Sequence, residues 1–131
     1  MAEHCVRLTR GMDILESIRA FCKEKHIDAG VLLTGVGCVY RAAVRDASGV
    51  TVRVMEKDME IVSLTGTVNS GRCHVHIALA EESLAVSGGH LMPGTLVNTT
   101  CELVIRELEG YAFSEEYDPA TGYDEIVFKE V

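Results

Sequence analysis

The sequence predicts an α+β domain: a largely antiparallel sheet of about eight short strands with one amphipathic helix near the N-terminus. Three observations carry this. Only residues 12–26 hold apolar side chains at helical spacing. Beyond them the apolar period falls to two, or shortens to brief apolar runs, broken by Gly, Ser and Asp turns. The length of 131 residues and the 47% hydrophobic content suit one compact domain with its own core.

The helix comes first. Ile14, Leu15, Ile18, Phe21 and Cys22 form one apolar stripe at i, i+1, i+4, i+7 and i+8. Asp13 and Glu16 have the spacing of a capping box, with Asp in place of Ser or Thr. Lys23, Lys25 and His26 fall in the last turn, where the helix dipole favours positive charge, and "DAG" then ends the helix.

Strands follow. "VLLTGVG" is a short apolar run and reads as a buried strand. "VYRAAVRD" alternates, with Arg41, Ala43 and Arg45 on one face and Tyr40, Ala42 and Val44 on the other. "ASG" is a turn, and "VTVRVMEKD" is the expected hairpin partner. "MEIVSLTGTV", "CHVHIALA", "LAVSGGHL" and "LVNTTCELVIREL" are further strands. The tail has a Pro-Ala-Thr-Gly turn between two Tyr/Phe-bearing pieces, and "YDEIVFKEV" adds a last strand. Residues 1–131 thus read as a single domain, with the acidic segment 109–131 folded onto it. Tyr111, Phe113, Tyr117, Tyr123, Ile126, Val127 and Phe128 need burial that a free tail would not give.

The net charge of −8 is unevenly placed. Residues 1–101 hold 11 acidic and 10 basic side chains, whereas residues 102–131 hold 9 and 2. No basic patch marks a non-specific nucleic-acid footprint. The five cysteines, Cys5, Cys22, Cys38, Cys73 and Cys101, are odd in number and never closer than 16 residues. That spacing contradicts a disulfide framework or a CxxC motif, and predicts reduced thiols in a cytoplasmic protein. The charged first residues do not read as a signal peptide, and no apolar run approaches the ~18 residues of a membrane span.

Chemistry concentrates in "HVHIALAEESLAVSGGHL". On a strand, i and i+2 share a face about 6.5–7 Å apart. His74 and His76 can therefore converge on one ion, and a tight connection at "EES" would bring His90 back beside them. Gly88 and Gly89 give the backbone room for that approach. Three neutral imidazoles with a fourth position open make a zinc site of catalytic type, and the set also suits Fe²⁺, Ni²⁺ or Mn²⁺. The alternative is three histidines with ordinary hydrogen bonds. Glu102, on one face with Asn98 and Thr100, could orient a ligand histidine or act as a general base; the alternative is a solvated carboxylate. "GVG" at residues 35–37 lacks the rest of a dinucleotide-binding fingerprint and reads as a turn or bulge. Arg41, Arg45 and Arg53 could line one hairpin face, interrupted by Asp46, Glu56 and Asp58.

The order of a helix, "GVG" after a strand, "IVSLTGTV", "HVHIAL", "GGHLMPGTLV" and "TCELVI" resembles the plant-and-prokaryote-conserved (PPC) domain, over about residues 5–108. This domain accompanies AT-hooks in plant nuclear proteins and stands alone in prokaryotes. The resemblance implies an α+β fold, a homotrimer, a metal site on His74, His76 and His90, and a DNA-binding or regulatory role. The AT-hook is absent and the charge is acidic, which argues against direct DNA binding. The other function in view is a metal-dependent hydrolase or lyase acting on a small anionic substrate. A second resemblance, to the first cupin motif, would make His74, His76 and Glu81 the ligands. Against it, "MPGTLVN" lacks the spacing and the later His of the second cupin motif.

Overall fold

The computed structural model describes residues 2–131. In chain order the elements are β1 (Glu3–Thr9), α1 (Ile14–Glu24), β2 (Gly30–Arg45), β3 (Val52–Met55), β4 (Met59–Val68), β5 (Cys73–Ala80), β6 (Val86–Leu91), β7 (Leu96–Glu107), β8 (Tyr111–Asp118) and β9 (Tyr123–Glu130). The architecture is mostly antiparallel sheet with nine strands and one short helix among the described residues. No helix among them is long and apolar enough to cross a membrane.

The helix starts where the sequence places its cap. Asp13 accepts the Glu16 N–H through Oδ1 at 3.0 Å, and through Oδ2 it accepts the Gly94 N–H at 2.7 Å. One carboxylate thus satisfies a helix N-terminus and ties it to the turn before β7; such a cap contributes about 1 kcal/mol. Ile14, Ile18 and Cys22 are fully buried and share a core with Leu32, Leu64, Val75, Ile77, Leu103 and Ile105. Each such aliphatic side chain contributes roughly 1.5–3 kcal/mol by leaving water.

Seven strands form the main sheet in the order β1-β7-β2-β4-β5-β6, with β3 paired to β2. The end of β2 also pairs with β6, through Val44↔Leu91 and Arg45↔His90. The strands β2, β4, β5 and β6 therefore close a ring, in which the His90–Leu91 end of β6 has a neighbour on both sides. The two apolar segments around "GVG" are one strand of 16 residues, not two. Three shifts of register against β7, at Leu32/Thr34, Gly37/Cys38 and Val39/Arg41, bend it without breaking it. Gly35 is needed because a Cβ there would come 2.3 Å from the Leu64 side chain. Close packing of β2 on β4, rather than a phosphate loop, explains that glycine.

The strand β1 is the element the sequence did not announce. Its burial alternates, but Glu3, Arg7 and the exposed Cys5 blur the pattern, as suits an edge strand. β8 and β9 form a separate two-stranded hairpin. It is anchored by Phe113, which is nearly buried and donates its N–H to the Asp28 carbonyl at 3.0 Å. Asn69 adds a second anchor, donating from Nδ2 to the Phe113 carbonyl at 2.9 Å.

Candidate metal centre

His74 and His76 alternate with the core residues Val75 and Ile77 along β5, so both imidazoles stand on its outer face. The β5–β6 ladder pairs His76 directly with His90, Ile77 with Gly89 and Ala78 with Gly88. Both glycines are sterically required. A Cβ on Gly88 would lie 2.1 Å from the Ile77 carbonyl oxygen, and one on Gly89 would lie 2.6 Å from that of Arg45. Only a strand bare of side chains at these positions fits between β5 and β2, and that fit delivers His90 to the pair on β5.

The potential ligand atoms of His74, His76 and His90 all lie within 4.8 Å of one another. The Nε2 atoms of His74 and His76 are 3.2 Å apart. Ring centroids are separated by 4.9, 5.1 and 5.6 Å. Two nitrogens bound to zinc at 2.0–2.1 Å with a tetrahedral angle stand roughly 3.3–3.4 Å apart. The His74–His76 separation is close to that value, so the donor set fits a small divalent ion, with room in its coordination for a further ligand.

The electrostatics favour the form of imidazole that binds metal. Burial, then the neighbouring His76, Arg72 and Arg45, hold His74 below the usual histidine range, with Glu125 opposing them. Burial, followed by Arg45 and the other two histidines, lowers His90 to about 4. Both rings are thus neutral at neutral pH, each with a lone pair free for an ion.

The two carboxylates considered from sequence lie elsewhere. Glu102 is exposed on β7, paired with Arg7 of β1 and Val36 of β2, and is not brought to the cluster. Glu81 stands just beyond the far end of β5, in an ion pair with Lys57 and a hydrogen bond from Ser83. The cupin-like ligand set of His74, His76 and Glu81 is therefore not assembled. Nor do the three arginines form a stripe. Arg41 donates to the Gly94 carbonyl at 2.7 Å and Arg53 pairs with Asp46 at 3.0 Å, which leaves Arg45 at the histidines.

Several residues around the cluster escaped the sequence reading. A cavity of roughly 340 Å³ opens beside His74 and His90, and Arg45, Arg72, Cys73, Tyr123, Asp124 and Glu125 complete its wall. The alternation of "YRAAVRD" put Arg45 on a defined face, but nothing in the sequence brought that face to β6. The hairpin residues carried no signal for this site, because they reach it by tertiary packing alone.

The sequence profile of the Plants and Prokaryotes Conserved (PCC) domain matches residues 1–109. A bifunctional protein GlmU from Synechococcus sp. (strain JA-3-3Ab) is 34% identical over 126 residues, which is 96% of this chain and 20% of that protein. The chain thus spans about a fifth of the length of the curated relatives it matches. A hypothetical protein from Salmonella cholerae-suis superposes with a TM-score of 0.95 at 30% identity, covering 98% of this chain and 94% of that one. A candidate DNA-binding protein from Bacteroides thetaiotaomicron gives 0.86 at 26% identity, covering 96% and 91%. The metal-containing protein AF0104 from Archaeoglobus fulgidus gives 0.78 at 27% identity, covering 97% and 94%.

Proposed function

The chain belongs to the Plants and Prokaryotes Conserved domain family, and from that premise we propose that it is a metal-binding member, whose His74, His76 and His90 hold a divalent ion, zinc first. The convergence of three imidazoles on one face, two of them 3.2 Å apart at Nε2, carries the reading. The description of the A. fulgidus protein as metal-containing supports it. When bound, such an ion acts as a Lewis acid toward a ligand in its open position. The chain's own part is to fix three imidazoles and to shape the cavity beside them. A metal-dependent hydrolase or lyase acting on a small anion is the enzymatic form of this proposal; Glu102 is not part of it.

Elemental analysis of the purified chain, as isolated and after zinc loading, tests it against His76→Ala. We expect close to one ion per chain in the parent and a large loss in the variant. Equal metal content in the two would refute the ligand set.

Homotrimerisation and a cytoplasmic setting are part of the proposal. Leu33, Val36 and Val62 are exposed apolar side chains on β2 and β4, the kind of surface a symmetric assembly covers. All five cysteines are free. Sedimentation equilibrium should give three times 14.3 kDa, or about 43 kDa.

A second reading, DNA binding in a regulatory role, draws on the candidate DNA-binding protein from B. thetaiotaomicron. The net charge of −8 works against it. Retardation of duplex DNA at about 50 mM salt, weakening as salt rises, would support it; no shift there would remove its ground, since phosphate contacts are strongest at low salt.

A further inference from the structure

We propose that Arg45 and Arg72 form an anion seat beside the histidine triad, one that takes a small molecule bearing a phosphate or carboxylate group. The proposal deepens the metal reading above and rests on it for the ion that would share the ligand. The arginines' own part stands on separate observations.

The first is a pair of buried N–H groups with no partner. Among the described residues, three buried side-chain polar atoms lack a hydrogen bond: Arg45 Nε, Arg72 Nη1 and Arg106 Nε. Two of the three belong to residues that line one cavity, the one beside His74 and His90. Arg106 is on β7, where its Nη2 reaches Glu3 at 3.3 Å. A buried charged donor left unpaired costs more than a made bond gains, so each calls for a polar partner, a water or a ligand, and beside this cavity a ligand can supply it.

The second is that Arg72 is held in place. Its Nε donates to Glu115 at 3.2 Å and its Nη2 to the Asp124 carbonyl at 3.4 Å, both on the β8–β9 hairpin. The guanidinium is thereby clamped on two sides, and Nη1 remains. Arg45 is placed by the ladder, opposite His90. Arginine is always charged, and its planar fork matches the oxygens of phosphate and carboxylate.

The third is the shape of the recess. Tyr123, Asp124 and Glu125 of the hairpin form one side of the cavity, opposite the histidines. The Tyr123 hydroxyl reaches the turn before β3, where a Cβ on Gly49 would meet it at 3.0 Å. A cavity of roughly 340 Å³ suits a small molecule, not a duplex. Asp124 and Glu125 bring two negative charges to that wall. Glu115, bonded to Arg72, adds a third, so two arginines and a divalent ion exceed the carboxylates by one; the loaded site attracts anions, and the metal-free site does so far less.

Isothermal titration of the zinc-loaded chain with inorganic phosphate, and separately with malonate, tests the proposal. The same titrations follow on Arg45→Gln, Arg72→Gln and His76→Ala, with metal content measured on each. Saturable binding of either anion by the parent is expected, weakened about ten-fold or more in Arg45→Gln with metal content unchanged, as for loss of one charge-assisted bond. Arg72→Gln should weaken binding too; because it also unclamps the hairpin, Arg45→Gln decides. Which anion binds more tightly identifies the head group. No binding by the zinc-loaded parent overturns the seat, as does binding that Arg45→Gln leaves intact. If Arg45→Gln instead dissociates the oligomer and the parent takes up no anion, the free N–H groups serve a second copy of the chain and the seat is overturned. If the parent retains no metal, the metal reading fails by itself. Anion binding that still falls in Arg45→Gln would then uphold the seat.

Discussion

Arg45 and His90 stand directly opposite each other in the β2–β6 ladder, so a permanent cation lies beside an imidazole offered to a metal. His76 is the partner of His90 on its other side. One row across the sheet therefore holds a guanidinium and two imidazoles. Protonating His90 would add a second positive charge next to Arg45 in a partly buried place, and the ring resists it.

That resistance has a consequence for metal-free protein. His90 titrates at about 4 when folded, against 6.5 for an ordinary histidine. Above pH 6.5 the ring is neutral in both states and contributes nothing to pH dependence. As pH falls from 6.5 toward 4, the unfolded chain takes up a proton that the folded chain does not, so stability declines through that window. Urea midpoints in the presence of a chelator should fall more steeply from pH 6.5 to 4 in the parent than in His90→Gln. Parallel curves would contradict the assigned environment of the ring.

Gly88→Ala tests how the third histidine is delivered. The added methyl would collide with the Ile77 carbonyl, a backbone atom that cannot move aside cheaply. Overpacking of this kind costs about 1–3 kcal/mol, and here it also displaces β6 and His90 with it. Urea denaturation should show that loss, and zinc affinity should drop by more than ten-fold. A variant of parental stability and affinity would mean that β6 can shift without cost.

Much of this architecture was legible in the sequence because its causes are local. The stripe of Ile14, Ile18 and Cys22 and the Asp13 cap fix the helix to within two residues at each end. The β4 range, Met59–Val68, coincides with the apolar segment read there, and "CHVHIALA" is β5. The histidine cluster was legible for the same reason, since period two and a glycine pair are properties of the chain itself. The rest depends on contacts distant in sequence. β1 is recognisable only through its partner β7, and the ring closes through two pairs, Val44↔Leu91 and Arg45↔His90, about 45 residues apart. Glu102 has a suitable chemistry but belongs to a strand that the sheet order separates from β5 and β6.

The hairpin side of the cavity depends on Asn69, which offers the last test. Its Oδ1 accepts the N–H groups of Gly71 at 2.8 Å and Arg72 at 2.6 Å. Its Nδ2 donates to the Phe113 carbonyl at 2.9 Å and to that of Asp28 at 3.3 Å. One nearly buried amide thus shapes the turn that carries Arg72 and fastens β8 to the body. Asn69→Ala removes both functions and leaves a buried carbonyl without its donor, at a cost of about 1–3 kcal/mol. Hydrogen exchange should quicken across residues 111–130 and little elsewhere, since the main core does not involve this side chain. Zinc content should be unchanged, because β5 and β6 hold the three histidines without the hairpin. Faster exchange in β5 and β6 as well would show that the hairpin supports the metal centre and does not merely stand beside it.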